Sequence, residues 1–201
     1  MPCRRISING LKPDLDIELI SLSQLDIDFP DIKENGKDPL ENARIKAMAY
    51  YDILKQPVFS ADSGLYFDGL PDHLQPGLFV RRVNGKRLTD DEMIVYYSQL
   101  AKDYGGKITA RYINGICLIL GEGQIFEHMG DDIATERFYI GSVPHSKQRV
   151  EGFPIDSLSI HIKSGMYYYD MQGDGDEKED KEDYYFKIGN GFRCFFGAAL
   201  S

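Results

Sequence analysis

Apolar and polar positions change their spacing along the chain, and the changes predict a succession of strands and helices. Residues 15–22 (LDIELISL) alternate well enough for a strand. Residues 29–37 are polar and include Pro30 and Gly36, so we expect a loop there.

A first helix is predicted directly after this loop. Asp38 is a capping residue, Pro39 occupies the first helical position, and Glu41 stands three residues after the cap. We expect the helix to run to about residue 55, where Pro57 stops it. Its apolar stripe at helical spacing comprises Leu40, Ala43, Ala47, Tyr51 and Leu54.

The central part of the sequence reads as strand, helix and strand. Residues 58–61 predict a short buried strand that ends in a turn at residues 62–64, with residues 65–67 extended beyond it. Residues 89–92 (TDDE) form a second capping box, which opens a helix ending near residues 104–106.

Residues 107–120 predict a strand in which one dipeptide leaves two interpretations open. Asn114-Gly115 is a common hairpin turn, but one long strand with a bulge also fits the pattern. Further strands are predicted at residues 124–128, 133–140 and 158–162. The acidic segment 173–183 is predicted to be a solvated loop, and residues 191–200 a terminal helix.

Composition places the chain among ordinary globular proteins. Hydrophobic residues make up 42% and charged residues 27%, and we expect one continuous domain over residues 1–201. The net charge of −9 disfavours nucleic acid and anionic membranes as partners. Three widely spaced cysteines, together with no signal peptide or membrane-length apolar run, favour a cytoplasmic location.

Asp62 is the most informative candidate for chemistry. It follows an apolar strand, and ligand sites collect at the carboxyl ends of strands in α/β sheets. A carboxylate that only caps the local turn is the other interpretation. Asn42 and Lys46 share one face of the first helix and could bind phosphate, and Glu34 could join Asp62 as an oxygen ligand for Mg²⁺. From their positions alone, ordinary surface polarity is the stronger interpretation of Asn42, Lys46 and Glu34.

Several common catalytic motifs are missing from the sequence. The histidines and cysteines have no zinc-ligand spacing, and Ser63-Gly64 does not complete a nucleophile elbow. Neither a P-loop nor a dinucleotide-binding glycine motif is found.

Five segments together resemble the Ham1-like family of purine nucleoside triphosphate pyrophosphatases, also called inosine triphosphate pyrophosphatases. Residues 41–47 (ENARIKA) resemble the family's ENAxxKA helix, and residues 60–65 (SADSGL) resemble its ADDSGL strand and turn. Residues 75–82 (QPGLFVRR) resemble its PGxYSARY loop. Residues 109–112 look like the start of its long central strand, which argues against a hairpin at Asn114-Gly115, and residues 152–156 (GFPID) resemble its GFGYDP segment.

The sequence departs from the family pattern at three places. Ala61 replaces the first aspartate of the DDSG pair, and residues 191–193 (GFR) keep the arginine of a terminal SHR motif but lose its histidine. Residues 7–12 (SINGLK) fit the letters of the family's phosphate-binding loop, [ST]-x-N-x-x-K, but only two residues separate Lys12 from Leu15, which leaves no room for the helix that follows the loop. We therefore interpret residues 1–12 as the tail of that helix. We therefore expect this chain to be a divergent member that lacks the strand and loop, with impaired phosphate binding and weak discrimination between purines.

The resemblance implies an elongated mixed β-sheet flanked by helices, with two lobes around a central nucleotide cleft. It further implies a homodimer and Mg²⁺-dependent hydrolysis of inosine, deoxyinosine and xanthosine triphosphates between the α and β phosphates. The implied site residues are Asp62 and Lys46 for catalysis, Glu34 and Asp62 for the metal, and Asn42, Ser63, Gly64, Phe153, Asp156, Lys187 and Arg193 for the substrate. The alternative is a protein of the same fold that binds nucleotides but has impaired catalysis.

Overall fold

The computed structural model describes residues 18–147, 149–171 and 176–201, with the side chains of the last stretch described from residue 187 onward. Within these ranges, three α-helices are separated by two groups of strands. In chain order the elements are α1 (Pro39–Leu54), β1 (Val58–Phe67), β2 (Arg82–Val83), β3 (Lys86–Arg87), α2 (Asp90–Asp103), β4 (Lys107–Gly121), β5 (Gln124–His128), β6 (Phe138–Gly141), β7 (Ser159–His161) and α3 (Asp176–Leu200).

The long strand β4 organises the main sheet. β1 pairs with one edge of β4, from Val58 opposite Ile119 to Phe67 opposite Ala110. β5 and β6 share the other edge, and β7 pairs with β6. The expected α/β fold with helices on an elongated sheet is confirmed, and every pairing between the described strands is antiparallel.

Helix α1 covers one face of the β1–β4 pair. The Asp38 side chain caps its first turn by accepting a hydrogen bond from the Glu41 backbone at 2.9 Å, and Lys55 ends it in the left-handed conformation. Four residues of the predicted apolar stripe, Ala43, Ala47, Tyr51 and Leu54, make this contact. Their packing partners on the sheet are Val58, Cys117 and Ile119.

Helices α2 and α3 both cover the opposite face of the sheet, at different ends. Strand residues alternate between faces, so Leu65 and Phe67 of β1 pack with α2. Ile116 and Leu118 of β4 pack with α3, where Phe192 is 3% exposed. The sheet is thereby sandwiched between α1 on one side and the other two helices on the other.

The structure resolves the choice between a hairpin and a long strand at residues 107–120. β4 runs through Asn114 and Gly115 without turning back, because β1 pairs with it on both sides of this dipeptide. Helix α1, with its Asp38 cap, and helix α2, with its capping box, begin where the sequence places them. Of the strands predicted later in the chain, 124–128 is confirmed with the same bounds, and 158–162 is confirmed as the shorter Ser159–His161.

Three predictions of secondary structure are wrong in part. Residues 18–22 are not a strand, because Ser21 and Gln24 instead form a reciprocal capping box around a short 3-10 turn at Leu22–Gln24. The strand predicted at 133–140 shrinks to Phe138–Gly141, since β5 and β6 pair with separate ends of β4 and the chain between them only bridges the gap.

The third prediction that is wrong in part is the solvated loop at the acidic segment 173–183. α3 already begins at Asp176, so most of the segment is helical and the terminal helix is longer than expected. Acidic residue types are favoured at a helix N-terminus, where the helix dipole is positive. The predicted loss of the family's first strand and phosphate-binding loop concerns residues 1–12, which lie outside the described residues.

Two further observations concern the length of the helices and the state of the cysteines. None of the helices in the described ranges is long and apolar enough to cross a membrane. Within the same ranges Cys117 is a buried free thiol and Cys194 an exposed one. Burial raises the pKa of the Cys117 thiol to about 12, which keeps it protonated and unreactive at neutral pH.

Candidate active site

Asp62 lies in the middle of β1, not at the carboxyl end of a strand as the sequence suggested. Residues 62–64 pair with Gly115, Asn114 and Ile113 of β4, so their backbone groups belong to the sheet ladder and do not form a turn. Gly64 serves close packing, because a Cβ there would lie 2.7 Å from the Tyr66 ring. The predicted turn at Asp62 is therefore wrong, and with it the interpretation of Asp62 as a turn cap.

The Asp62 carboxylate instead binds two side chains of α1. Lys46 Nζ donates to Asp62 Oδ1 at 3.1 Å, and Asn42 Nδ2 donates to Asp62 Oδ2 at 2.9 Å. Lys46 Nζ also donates to Glu34 Oε2 at 3.4 Å, from the loop before the helix. We call these four residues, Glu34, Asn42, Lys46 and Asp62, the Lys46 cluster.

The side chains of the Lys46 cluster differ in their exposure to solvent. The side chains of Lys46 and Asp62 are 11% and 18% exposed, and that of Glu34 is 43% exposed. Two carboxylates around one ammonium group leave a formal charge of −1. The cluster therefore opens to solvent on its Glu34 side and presents negative charge there, which favours a cation.

The donor set of the Lys46 cluster suits Mg²⁺. This ion is usually bound through one or two carboxylates, with water and substrate phosphates completing its octahedral shell. Glu34 and Asp62 supply two such carboxylates. Within the ranges that the structure describes, no group of three or more His, Cys, Asp or Glu side chains could hold a metal ion, so a fully protein-built metal cage is not found there.

Asn42 links the cluster to the loop before α1. Its Oδ1 accepts a hydrogen bond from the Gly36 backbone at 2.8 Å while its Nδ2 donates to Asp62. A Cβ on Gly36 would lie 2.8 Å from both the Asn42 backbone nitrogen and its side-chain oxygen. Glycine at this position allows the loop to fold onto the helix and fixes the orientation of the Asn42 amide.

Gly115 allows α1 to approach the sheet at the same place. It pairs with Asp62 across β1 and β4, so both residues face α1. A Cβ on Gly115 would lie 2.4 Å from the Leu40 backbone nitrogen and 2.7 Å from the Pro39 carbonyl carbon. The start of α1 thus rests directly on the backbone of β4, beside Asp62.

Tyr66 lies further along the same face of β1. Burial raises the pKa of its hydroxyl, and the negative charges of Asp38 and Asp62 add to the effect. Tyr66 is thus a neutral hydroxyl on the same side of the sheet as the Lys46 cluster.

Ser63 points away from Asp62, to the opposite face of β1. Its Oγ donates to Asn114 Oδ1 at 2.6 Å, and Asn114 Nδ2 donates to the Ile133 carbonyl at 2.5 Å. Asn114 is buried whereas Ser63 is exposed. Because the Ser63 hydroxyl proton is directed at Asn114, the lone pairs of Ser63 remain available on the surface.

Phe153 and Asp156 lie in another part of the molecule. Phe153 precedes a 3-10 turn at Pro154–Leu158 that packs against α2 and β6, and Asp156 lies within that turn. Both side chains are half-buried. The two residues predicted to bind the base are therefore carried by the α2 side of the sheet.

Lys187 and Arg193 both lie on α3. Lys187 Nζ donates to Glu136 Oε1 at 2.7 Å in an exposed pair, and Arg193 donates to Asn190 Oδ1 at 2.6 Å. Phe192, which replaces the histidine of the family pattern, is buried in the apolar contact between α3 and the sheet. Its ring therefore fills the core.

Of the predicted site residues, the structure brings together Glu34, Asn42, Lys46 and Asp62. Ser63 and Gly64 follow Asp62 on β1, the remaining predicted residues lie on other elements, and the roles of all of them remain predictions. Sequence reasoning missed Asn114 and Gly115 as site residues. The only signal was the Asn-Gly dipeptide itself, which we interpreted as a question of backbone shape alone.

The structure has a long central strand with helices on both faces of the sheet. An acid–lysine cluster lies between the first helix and the sheet. Together these features define the class of α/β protein to which the chain belongs. The Ham1 family model matches residues 7–161. The chain belongs to the Ham1 family.

Two proteins that are similar in sequence carry the same name. A protein of Borrelia recurrentis, named dITP/XTP pyrophosphatase, is 38% identical over 130 residues, which cover 61% of this chain and 63% of that protein. A protein of Halalkalibacterium halodurans with the same name is 36% identical over 142 residues, covering 69% and 70%. The match to the Borrelia recurrentis protein thus spans less than two thirds of its length.

Solved structures support the fold. A HAM1 protein from Coxiella burnetii superposes with a TM-score of 0.65 at 22% identity, covering 95% of this chain and 91% of that one. The Ham1 protein of Staphylococcus aureus gives a TM-score of 0.60 at 22% identity, covering 90% and 87%. At this identity the likeness shows the shared architecture.

We predict that Gly115→Ala displaces the start of α1 and destabilises the protein. The added methyl group meets helix backbone, which cannot rotate aside, so we expect a loss of about 1–3 kcal/mol in the free energy of unfolding. Urea denaturation measures this loss. Gly121→Ala, on the same strand, is the matched control, because its Cβ meets nothing closer than a glutamine side-chain oxygen at 3.5 Å. Equal stability of the two variants would contradict the close approach at Gly115.

Proposed function

We propose that this protein hydrolyses non-standard purine nucleoside triphosphates, such as inosine, deoxyinosine and xanthosine triphosphates, to the monophosphate and pyrophosphate. The Lys46 cluster carries this proposal. It joins a lysine to two carboxylates within 3.4 Å in a chain of the Ham1 family. The name shared by the relatives agrees with this substrate class.

The proposed reaction breaks the bond between the α phosphorus and the oxygen that bridges to the β phosphate. A water oxygen attacks the α phosphorus, and pyrophosphate leaves with the bonding electron pair. Asp62 accepts the proton of the attacking water, since its carboxylate is held in one orientation by Asn42. Lys46 offsets the negative charge of the phosphates, because positioning and electrostatics dominate phosphoryl transfer.

Glu34 and Asp62 would hold the metal ion, which we propose to be Mg²⁺. When bound, this ion would neutralise phosphate charge and orient the water. The partial exposure of Glu34 agrees with this role, since the ion needs open positions for water and phosphate oxygens.

The remaining predicted residues complete the proposal. Phe153 would stack on the purine, with Asp156 at its polar edge, and Ser63 and Gly64 would contact the substrate from β1. Lys187 and Arg193 would offset phosphate charge. Phe192 offers no hydrogen bond to the purine 6-oxo group, so we expect weak discrimination against adenosine triphosphate.

We further propose a homodimer in the cytoplasm, on the basis of the family resemblance and the cysteine usage. Light scattering at micromolar protein concentration is expected to give twice the mass of the chain. A monomeric mass would contradict the dimer.

We predict that Asp62→Asn abolishes release of pyrophosphate from inosine triphosphate in the presence of Mg²⁺. The amide cannot accept the proton of water, so we expect the rate to fall by about 100-fold or more. The fold is expected to persist, because the volume is unchanged and Glu34 remains as an anionic partner of Lys46. Pyrophosphate release and the circular dichroism melting curve are measured together.

Asp68→Asn is the matched control for this variant. Asp68 follows directly after β1 and pairs with Arg137 on the surface, so its loss is expected to leave the rate unchanged. Unaltered activity of Asp62→Asn would refute the role of Asp62. If the unsubstituted protein binds inosine triphosphate but releases no pyrophosphate, the alternative of a binding protein with impaired catalysis is correct.

A further inference from the structure

An ion pair between Arg81 and Asp90 binds the backbone of Gly152, the residue directly before Phe153. Arg81 donates to Asp90 Oδ1 at 2.6 Å. The second guanidinium nitrogen of Arg81 donates to the Gly152 carbonyl at 2.9 Å, and the Gly152 backbone N–H donates to Asp90 Oδ2 at 2.7 Å. We call Arg81, Asp90 and Gly152 the Gly152 clasp.

The Gly152 clasp joins three separate parts of the chain. Arg81 belongs to the loop before β2, Asp90 is the first residue of α2, and Gly152 ends the segment that leads into the 3-10 turn. Both backbone polar groups of Gly152 are bound by the side chains of a single ion pair. The position of residue 152 is thus fixed from both sides of its peptide backbone.

The backbone conformation at Gly152 adds to this control. Its φ of +82° lies in the left-handed region that favours glycine. Because Gly152 is held in this conformation, the direction of the backbone from Gly152 to Phe153 is set. Phe153 is therefore oriented by contacts at its neighbour.

The clasp is partly shielded from solvent. The side chains of Arg81 and Asp90 are 16% and 32% exposed. The hydrogen bond from the Gly152 backbone, followed by the contacts with Arg81, holds the pKa of Asp90 below its ordinary value of 3.8. At neutral pH Asp90 is therefore ionised, and both of its carboxylate oxygens have partners.

We propose that Arg81 and Asp90 are positioning residues for recognition of the base, acting by holding Phe153 where a purine can stack on it. This inference rests on the proposed function, in which Phe153 contacts the purine. The clasp lies with α2, whereas the Lys46 cluster lies between α1 and the sheet. Loss of the clasp is thus expected to weaken binding of the base more than it slows the chemistry at the phosphates.

The test compares Arg81→Met, Asp90→Asn, Phe153→Ala and the double variant Arg81→Met/Phe153→Ala. KM and kcat for inosine triphosphate are measured, together with direct binding of inosine monophosphate by calorimetry. Each single variant is expected to raise KM and weaken monophosphate binding by about tenfold, within the range of base stacking on an aromatic ring, and to change kcat by less.

The double variant separates positioning from a general structural effect. If Arg81 acts through Phe153, the double variant binds no more weakly than Phe153→Ala alone. Inhibition by inorganic tripolyphosphate, which has no base, is expected to be the same in all variants. Lys86→Met is the matched control. It removes a cation that pairs with Glu92 in the first turn of the same helix, and it should change none of these quantities.

Each remaining outcome decides the inference. If Phe153→Ala weakens binding but Arg81→Met and Asp90→Asn do not, or if the effects of Arg81→Met and Phe153→Ala multiply, the clasp does not position the base. If Phe153→Ala has no effect, the proposed role of Phe153 fails and the clasp loses its function. If the unsubstituted protein neither binds nor hydrolyses these nucleotides, the proposed function itself is wrong. Should Arg81→Met fail to fold, Asp90→Asn, which keeps the side-chain shape, decides alone.

Discussion

The ion pair between Lys46 and Asp62 is the contact on which the candidate site depends. A lysine with only 11% of its side chain exposed needs anionic partners, since an unpaired charge in such a position is strongly destabilising. Asp62 and Glu34 satisfy this need from two different segments. The pairing therefore fixes the helix, the strand and the preceding loop at one place, with Asn42 holding the carboxylate in orientation.

The contact between Lys46 and Asp62 is possible because the loop before α1, α1 itself and β4 approach one another closely at the backbone. Gly36 and Gly115 lack the side chains that would separate the loop from α1 and α1 from β4. The same strand pair presents Asp62 on the α1 face and Ser63 on the face of α2 and α3. The 3-10 turn with Phe153 and Asp156, the residues predicted to contact the base, packs against α2. In the proposed function, phosphate chemistry and base recognition would thus depend on opposite faces of one sheet.

The sequence predicted what local chemistry determines. The Asp38 cap and the apolar stripe located α1, and the spacing of Asn42 and Lys46 placed both on one helical face. The long β4 and the central position of Asp62 within β1 could not be derived locally, because they depend on pairing between distant strands. Asn114 was missed for the same reason: its partners Ser63 and Ile133 lie on other segments of the chain.

The central claim is that Glu34 and Asp62 form one metal-binding pair around Lys46. The Mg²⁺ dependence of pyrophosphate release in Glu34→Gln tests it most directly. The account predicts that this variant needs about tenfold more Mg²⁺ for half-maximal rate, as is typical when the surroundings of a metal site are altered, and recovers much of its rate at saturation. An unchanged Mg²⁺ requirement would contradict the account, because Glu34 would then pair with Lys46 without contributing to the metal site.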